Sequence, residues 1–110
     1  MEHTTTDQDG IAVVALTGDV DINSSPELRT TILELIEEGR DVLVDMSTVG
    51  YIDSSGVASL IEARQAAKSL NTRFGIVGLS GAPLHVIQVA QLEKIFLMYP
   101  TVADGVADKA

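Results

Sequence analysis

The residues in this chain best suited to chemistry are the carboxylate and hydroxyls of Asp53-Ser54-Ser55-Gly56, joined by Asp19, Asp21 and Asp45 near the ends of apolar runs. Two chemistries fit these residue types. In the first, a serine hydroxyl at a helix start accepts a phosphoryl group, because unpaired N–H groups and the positive end of the helix dipole favour an anion there. In the second, Asp19, Asp21, Asp45 and Asp53 gather at strand ends around a divalent cation or a phospho-aspartate, as in a receiver-like domain. That arrangement also wants a lysine beyond the last strand. The lysines are Lys68, Lys94 and Lys109, and Lys94 comes before the final apolar run. Asp53, Ser54 and Ser55 are equally at home as plain helix caps. The two histidines suggest no triad: His3 stands near the N-terminus, and His85 falls in a helical stretch as a structural or surface residue. Residues 78–83, Gly-Leu-Ser-Gly-Ala-Pro, lack the lysine and spacing of a phosphate-binding loop and read as a strand-to-helix joint.

The elements that position these residues follow from periodicity and punctuation. Val42-Leu43-Val44 is apolar without alternation, as in a strand covered on both faces, and Asp45 marks where the chain leaves the sheet. From Ser54 onward, Val57, Leu60, Ala63, Ala67 and Leu70 recur at helical spacing with Ile61 beside them, and Asn71 closes the helix. Arg64 interrupts that face, either snorkelling outward or standing at the rim of a partner surface. Upstream, the threonines of residues 3–6, the turn Asp9-Gly10 and the run 11–16 predict a hairpin. Ser24 to Glu27 has capping-box spacing with Pro26 in the first turn, Leu28, Ile32, Leu35 and Ile36 give that helix a buried face, and Gly39 ends it. Downstream come a strand at 74–77, a helix at about 84–92 carrying Leu84, Ile87 and Ala90 inward, a strand at 95–98, and a short helix opened by Thr101 and Asp104. The order β-β-α-β-α-β-α-β-α predicts a single α/β domain with a mixed sheet packed by helices. Mobile residues are expected at both ends, over 1–8 and around 108–110.

A chain of 110 residues, 45% hydrophobic, is long enough for one core and too short for two. Its net charge of −9, from 16 acids and 7 bases, argues against direct contact with nucleic acid or an anionic membrane and leaves a protein partner. Cysteine is absent, which removes disulfides and thiol catalysis. The longest apolar run, residues 11–16, falls far short of the ~20 residues that span a bilayer, and Met1-Glu2 lacks the basic start of a signal peptide. A cytoplasmic location is expected.

Asp53-Ser54-Ser55-Gly56, preceded by the strand at 42–46 and by Gly18-Asp19-Val20-Asp21, resembles the STAS domain family over roughly residues 10–107, and within it the anti-sigma-factor antagonists. The resemblance implies the same order of elements, no enzymatic activity and no cofactor. It also implies that Ser54 is phosphorylated by a partner that is both serine kinase and anti-sigma factor, that a phosphatase resets it, and that Asp21 lies near the phosphorylatable serine. Asp19, Asp53, Ser55 and Gly56 then support the phosphosite or contact the partner. The family motif commonly continues Gly-Leu-Gly, whereas this chain reads Gly56-Val57-Ala58, with a methyl where the second glycine allows close approach. Similar small domains serve as subunits of ABC transporters, so a non-phosphorylated subunit that binds a transporter ATPase is the second reading.

Overall fold

Strands that are apolar at every position have to be covered on both faces, and this chain covers them with helices on either side of one sheet. The computed structural model describes residues 1–108. Along it run β1 (Glu2–Gln8), β2 (Ile11–Thr17), α1 (Ser25–Glu37), β3 (Val42–Thr48), α2 (Ser54–Ser69), β4 (Phe74–Val77), α3 (Gly81–Val89), a 3-10 turn (Leu92–Lys94), β5 (Leu97–Tyr99) and α4 (Val102–Ala107). The strands lie in sequence order, β1 antiparallel to β2 and all later pairs parallel. Parallel neighbours need crossovers of one hand, so three successive steps in the same direction put α1, α2 and α3 on one face. Their Leu28, Ile32, Leu60, Ala63 and Ile87 pack there with Val14, Val44 and Ile76 in the main core. The strand residues between these, Ile11, Val13, Leu43 and Val77, form a smaller core with Tyr99, Val102 and Val106, closed by α4. The expected architecture is therefore present, including Gly39 past the end of α1, where φ is 82° and its N–H bonds to the Ile36 carbonyl.

Several local expectations are corrected. Asp45 does not end β3, which continues to Thr48, whose hydroxyl donates to the Leu16 carbonyl at 2.7 Å. The capping box at Ser24 is not made: its hydroxyl accepts from the Asp21 N–H at 3.0 Å and leaves the first turn of α1 uncapped by a side chain. Helix α3 begins three residues early, because Pro83 sits inside its first turn, where a missing N–H costs nothing. Ala90 and Leu70 are exposed rather than inward, and Ile95 lies outside β5. Arg64 neither snorkels free nor waits for a partner, since its Nε–H donates to the Ile95 carbonyl at 2.9 Å and ties that loop to α2. Residues 2–8, expected to be mobile, pair with β2 along their whole length. Of the C-terminal end expected to be mobile, residues 109–110 lie outside the described residues.

Candidate functional site

Beyond the C-terminal edge of β2 and β3, the two chains keep pairing for one more step. Val20 bridges Ile52, with the Val20 N–H donating to the Tyr51 carbonyl at 2.9 Å and the Asp53 N–H to the Val20 carbonyl at 3.1 Å. This bridge joins the loop that carries Asp19 and Asp21, which flank Val20, to the loop that leads into Asp53 and Ser54. The C-terminal edge of a parallel sheet is where α/β folds place their sites.

Asp53 is the N-cap of α2. One oxygen, Oδ1, accepts from the Ser55 N–H at 2.9 Å, from the Gly56 N–H at 3.2 Å and from the Ser55 hydroxyl at 2.6 Å. The Ser55 hydroxyl is the largest influence holding the Asp53 carboxyl below its ordinary value; partial burial opposes it, and the N–H groups of Gly56, Ser55 and Ile22 reinforce it. Ser55 is thereby committed to the cap. Ser54, the first residue of α2, is exposed, and its hydroxyl makes no hydrogen bond among the described residues. Two N–H groups that a phosphate at this helix start would seek are already taken by Asp53, so the helix end is less open to an anion than the sequence suggests.

Gly56 is buried against this chain itself. A Cβ there would stand 2.7 Å from Ile52 Cγ1 and 2.8 Å from Val20 Cγ1, the two residues of the bridge. Its close approach is internal, and its link to the site is the hydrogen bond to Asp53. Asp21 turns its carboxylate back on its own loop, accepting from the N–H groups of Asn23 at 2.9 Å and Ser24 at 3.3 Å. It thereby holds the loop that carries Ile22. Asp45, far from acting with these acids, accepts from the Ser47 N–H at 3.0 Å, and no three acids or histidines among the described residues are arranged to hold a metal. The cation-binding arrangement of Asp19, Asp21, Asp45 and Asp53 is not formed.

The sequence pattern missed one feature: a groove of about 560 Å³ between α2 and α3, whose wall includes Ser54. Val57, Ala58 and Ile61 line one side, Val86 and Ala90 the other, with Tyr51 at the mouth. Apolar residues on α3 outside its buried Pro83 and Ile87 were the available signal, and only the fold sets them opposite α2.

Since Asp53 organises the first turn, Asp53→Ala is expected to lower the melting temperature by several degrees. The folded carboxyl titrates below its unfolded value, so the stabilisation is fully present above the ordinary aspartate range and fades as pH falls through the folded value. Melts of wild type and variant should therefore converge in strong acid; a gap that widened there would contradict the cap's charge dependence.

The sequence and the fold both have known relatives. The STAS domain model matches residues 3–105. The anti-sigma-F factor antagonist RsfB of Mycobacterium tuberculosis is 26% identical over 103 residues, covering 93% of this chain and 84% of RsfB. A solved anti-sigma factor antagonist from Mycobacterium paratuberculosis is 28% identical and superposes with a TM-score of 0.88, over 97% of this chain and 94% of that one. The Bacillus cell fate determinant SpoIIAA in its phosphorylated form, 18% identical, shares the fold with a TM-score of 0.76 over 96% of each chain. With nearly the whole length matched, and Asp-Ser-Ser-Gly opening the helix that follows the third strand of a five-stranded mixed sheet, this chain belongs to the STAS domain family.

Proposed function

We propose that this chain is a phospho-regulated anti-sigma-factor antagonist. Unphosphorylated, it binds a serine-kinase anti-sigma factor or a similar partner-switching protein and so frees that protein's other client. The kinase transfers the γ-phosphoryl group of ATP to the Ser54 Oγ and releases ADP, the modified chain lets go, and a phosphatase restores the hydroxyl. The chain itself is a binding regulator and not an enzyme. It works in the cytoplasm, a reading compatible with the finding that no helix among the described residues is long and apolar enough to cross a membrane.

The observation that carries this reading is the difference between the adjacent hydroxyls. Ser54 is exposed and its hydroxyl makes no hydrogen bond among the described residues, whereas Ser55 donates its proton to a carboxylate oxygen 2.6 Å away. A phosphate on Ser55 would lose that bond and set a second anion against Asp53. Relatives named as antagonists support the binding role, and SpoIIAA, solved in a phosphorylated form, supports a covalent switch on this fold.

Incubation with the kinase and ATP, followed by peptide mapping, tests the assignment. Phosphate is expected on Ser54, and Ser54→Ala is expected to remove it. Modification confined to Ser55 or Thr48 would refute the site.

A further inference from the structure

We propose that the cleft between the C-terminal half of α2 and the starts of β4 and β5 is a second binding site, which takes a small organic anion: a carboxylate or phosphate head on a short apolar body. Arg64, Lys68 and Arg73 line this cleft, and no aspartate or glutamate does so among the described residues. The chain has 16 acids and only 7 bases, so three bases gathered without an acid run against its composition. Elsewhere carboxylates do find the bases: Arg29 pairs with Glu62 and Arg40 with Asp7. Arg73 is held by Asp108, donating to its carbonyl and standing 3.9 Å from its carboxylate. Arg64 and Lys68 have no carboxylate partner among the described residues, and their spacing of four puts them on one face of α2. A cation in the last turn of a helix is favoured by the dipole, which accounts for Lys68 but not for Arg64 one turn earlier or for Arg73 beyond the helix.

The cations are positioned in advance. Arg64 donates through Nε–H to the Ile95 carbonyl at 2.9 Å, which fixes the guanidinium and leaves its two terminal amino groups without a hydrogen bond among the described residues. The helix carbonyls that would repel an anion at this end are already engaged, since those of Ala66, Ala67 and Lys68 accept from the N–H groups of Leu70, Thr72 and Asn71. The rest of the lining selects the body of the ligand. Ala67 and Phe74 are buried beneath the cleft, while Ile95 is 40% and Leu97 44% exposed at its side. A mineral anion would meet the cations and leave these side chains in water, whereas a short hydrocarbon attached to the head covers them. The volume of about 280 Å³ lies below the ~300–1,000 Å³ of pockets for drug-sized molecules, which suits a compact ligand better than a nucleotide. Lys68 stands roughly 21 Å along α2 from Ser54, so the cleft is separate from the phosphorylation site.

Calorimetric titration with hexanoate and with hexyl phosphate, compared with acetate and hexanol at matched ionic strength, tests the site. Saturable one-to-one binding is expected for at least one of the two amphiphiles, the tighter of them identifying the head, and none for acetate, which lacks the tail, or hexanol, which lacks the charge. Amide NMR resonances should shift over residues 64–74 and 95–97 and stay in place from Ser54 to Gly56. Lys68→Glu reverses one charge on an exposed side chain, so its melting temperature should stay within a few degrees of wild type while affinity falls at least tenfold. Lys94→Glu makes the same change of charge outside the cleft lining and should bind within twofold of wild type. Equal losses in the two variants would reduce the effect to net charge, saturation by acetate would leave a bare charged patch, and saturation by hexanol an apolar hollow. Any of these results, or no binding of either amphiphile, would overturn the proposal.

Discussion

Gly56→Leu is expected to unfold the domain, or leave it with a melting temperature far below wild type, although leucine favours a helix over glycine by close to 1 kcal/mol. Propensity and packing oppose each other at this position, and packing wins. The first atom added would lie 2.7 Å from Ile52 Cγ1 and 2.8 Å from Val20 Cγ1, closer than carbon atoms approach, and three more carbons would follow it into the same space. Neither neighbour has room to give, because both are buried and their backbones are fixed by the bridge that joins the two site loops. Overpacking a core typically costs ~1–3 kcal/mol per modest insertion, and a whole side chain against a fixed bridge exceeds that range. Each kcal/mol lost shifts the midpoint of a domain this size by roughly 4–8 °C. Gly56→Ala separates the two effects: it gains the helical preference and meets only the first contact, so it should lie between wild type and Gly56→Leu. A Gly56→Leu protein that melted like wild type yet failed to bind its partner would instead place this glycine in the interface.

That prediction departs from the partner contact that the family resemblance implies for Gly56, and the reason is physical. A glycine at the third position of a helix reads as room left for something outside, but Val20, one of the residues it accommodates, is 36 positions away and becomes its neighbour only when the sheet is assembled. The strands and helices were legible wherever a run kept one period long enough, as in Leu28, Ile32 and Ile36 or in Val42 to Val44. Legibility failed where one residue type carries two meanings. Pro83 reads as a breaker and is inside the first turn of α3. Ile95 reads as strand and is an exposed residue whose carbonyl anchors Arg64. The motif itself was visible, but which of two adjacent serines is engaged depends on the side-chain direction of Asp53, which composition and spacing do not encode. The groove was out of reach for the same reason as the glycine's neighbours: Val57 and Val86 belong to different helices, brought together by a crossover.

Ser54→Asp is expected to abolish partner binding while leaving the isolated domain nearly as stable as wild type. In the free protein two effects oppose each other. A negative charge in the first turn of a helix is favoured by roughly 0.3–1 kcal/mol when exposed. Here the adjacent N–H groups of Ser55 and Gly56 already bind Asp53, whose carboxylate repels the newcomer, so the gain is offset and the melting temperature should move by only a few degrees in either direction. In the complex the groove lining itself offers the charge no counterion. Ser54 belongs to the wall of an apolar groove that no cation lines among the described residues, and a polar group buried there unpaired costs about 1–3 kcal/mol, more when charged. Since 1.4 kcal/mol is a factor of ten in affinity, a full charge should weaken binding more than a hundredfold, and a phosphate, with nearly two charges, further still. Ser54→Ala should bind about as well as wild type and stay bound in the presence of ATP, because it keeps the apolar wall and removes the acceptor. Calorimetry and thermal melts on the three proteins separate the cases. Unchanged affinity in Ser54→Asp would remove the charge switch, and a collapse of its melting temperature would mean that unfolding, not desolvation at the groove, accounts for the lost complex.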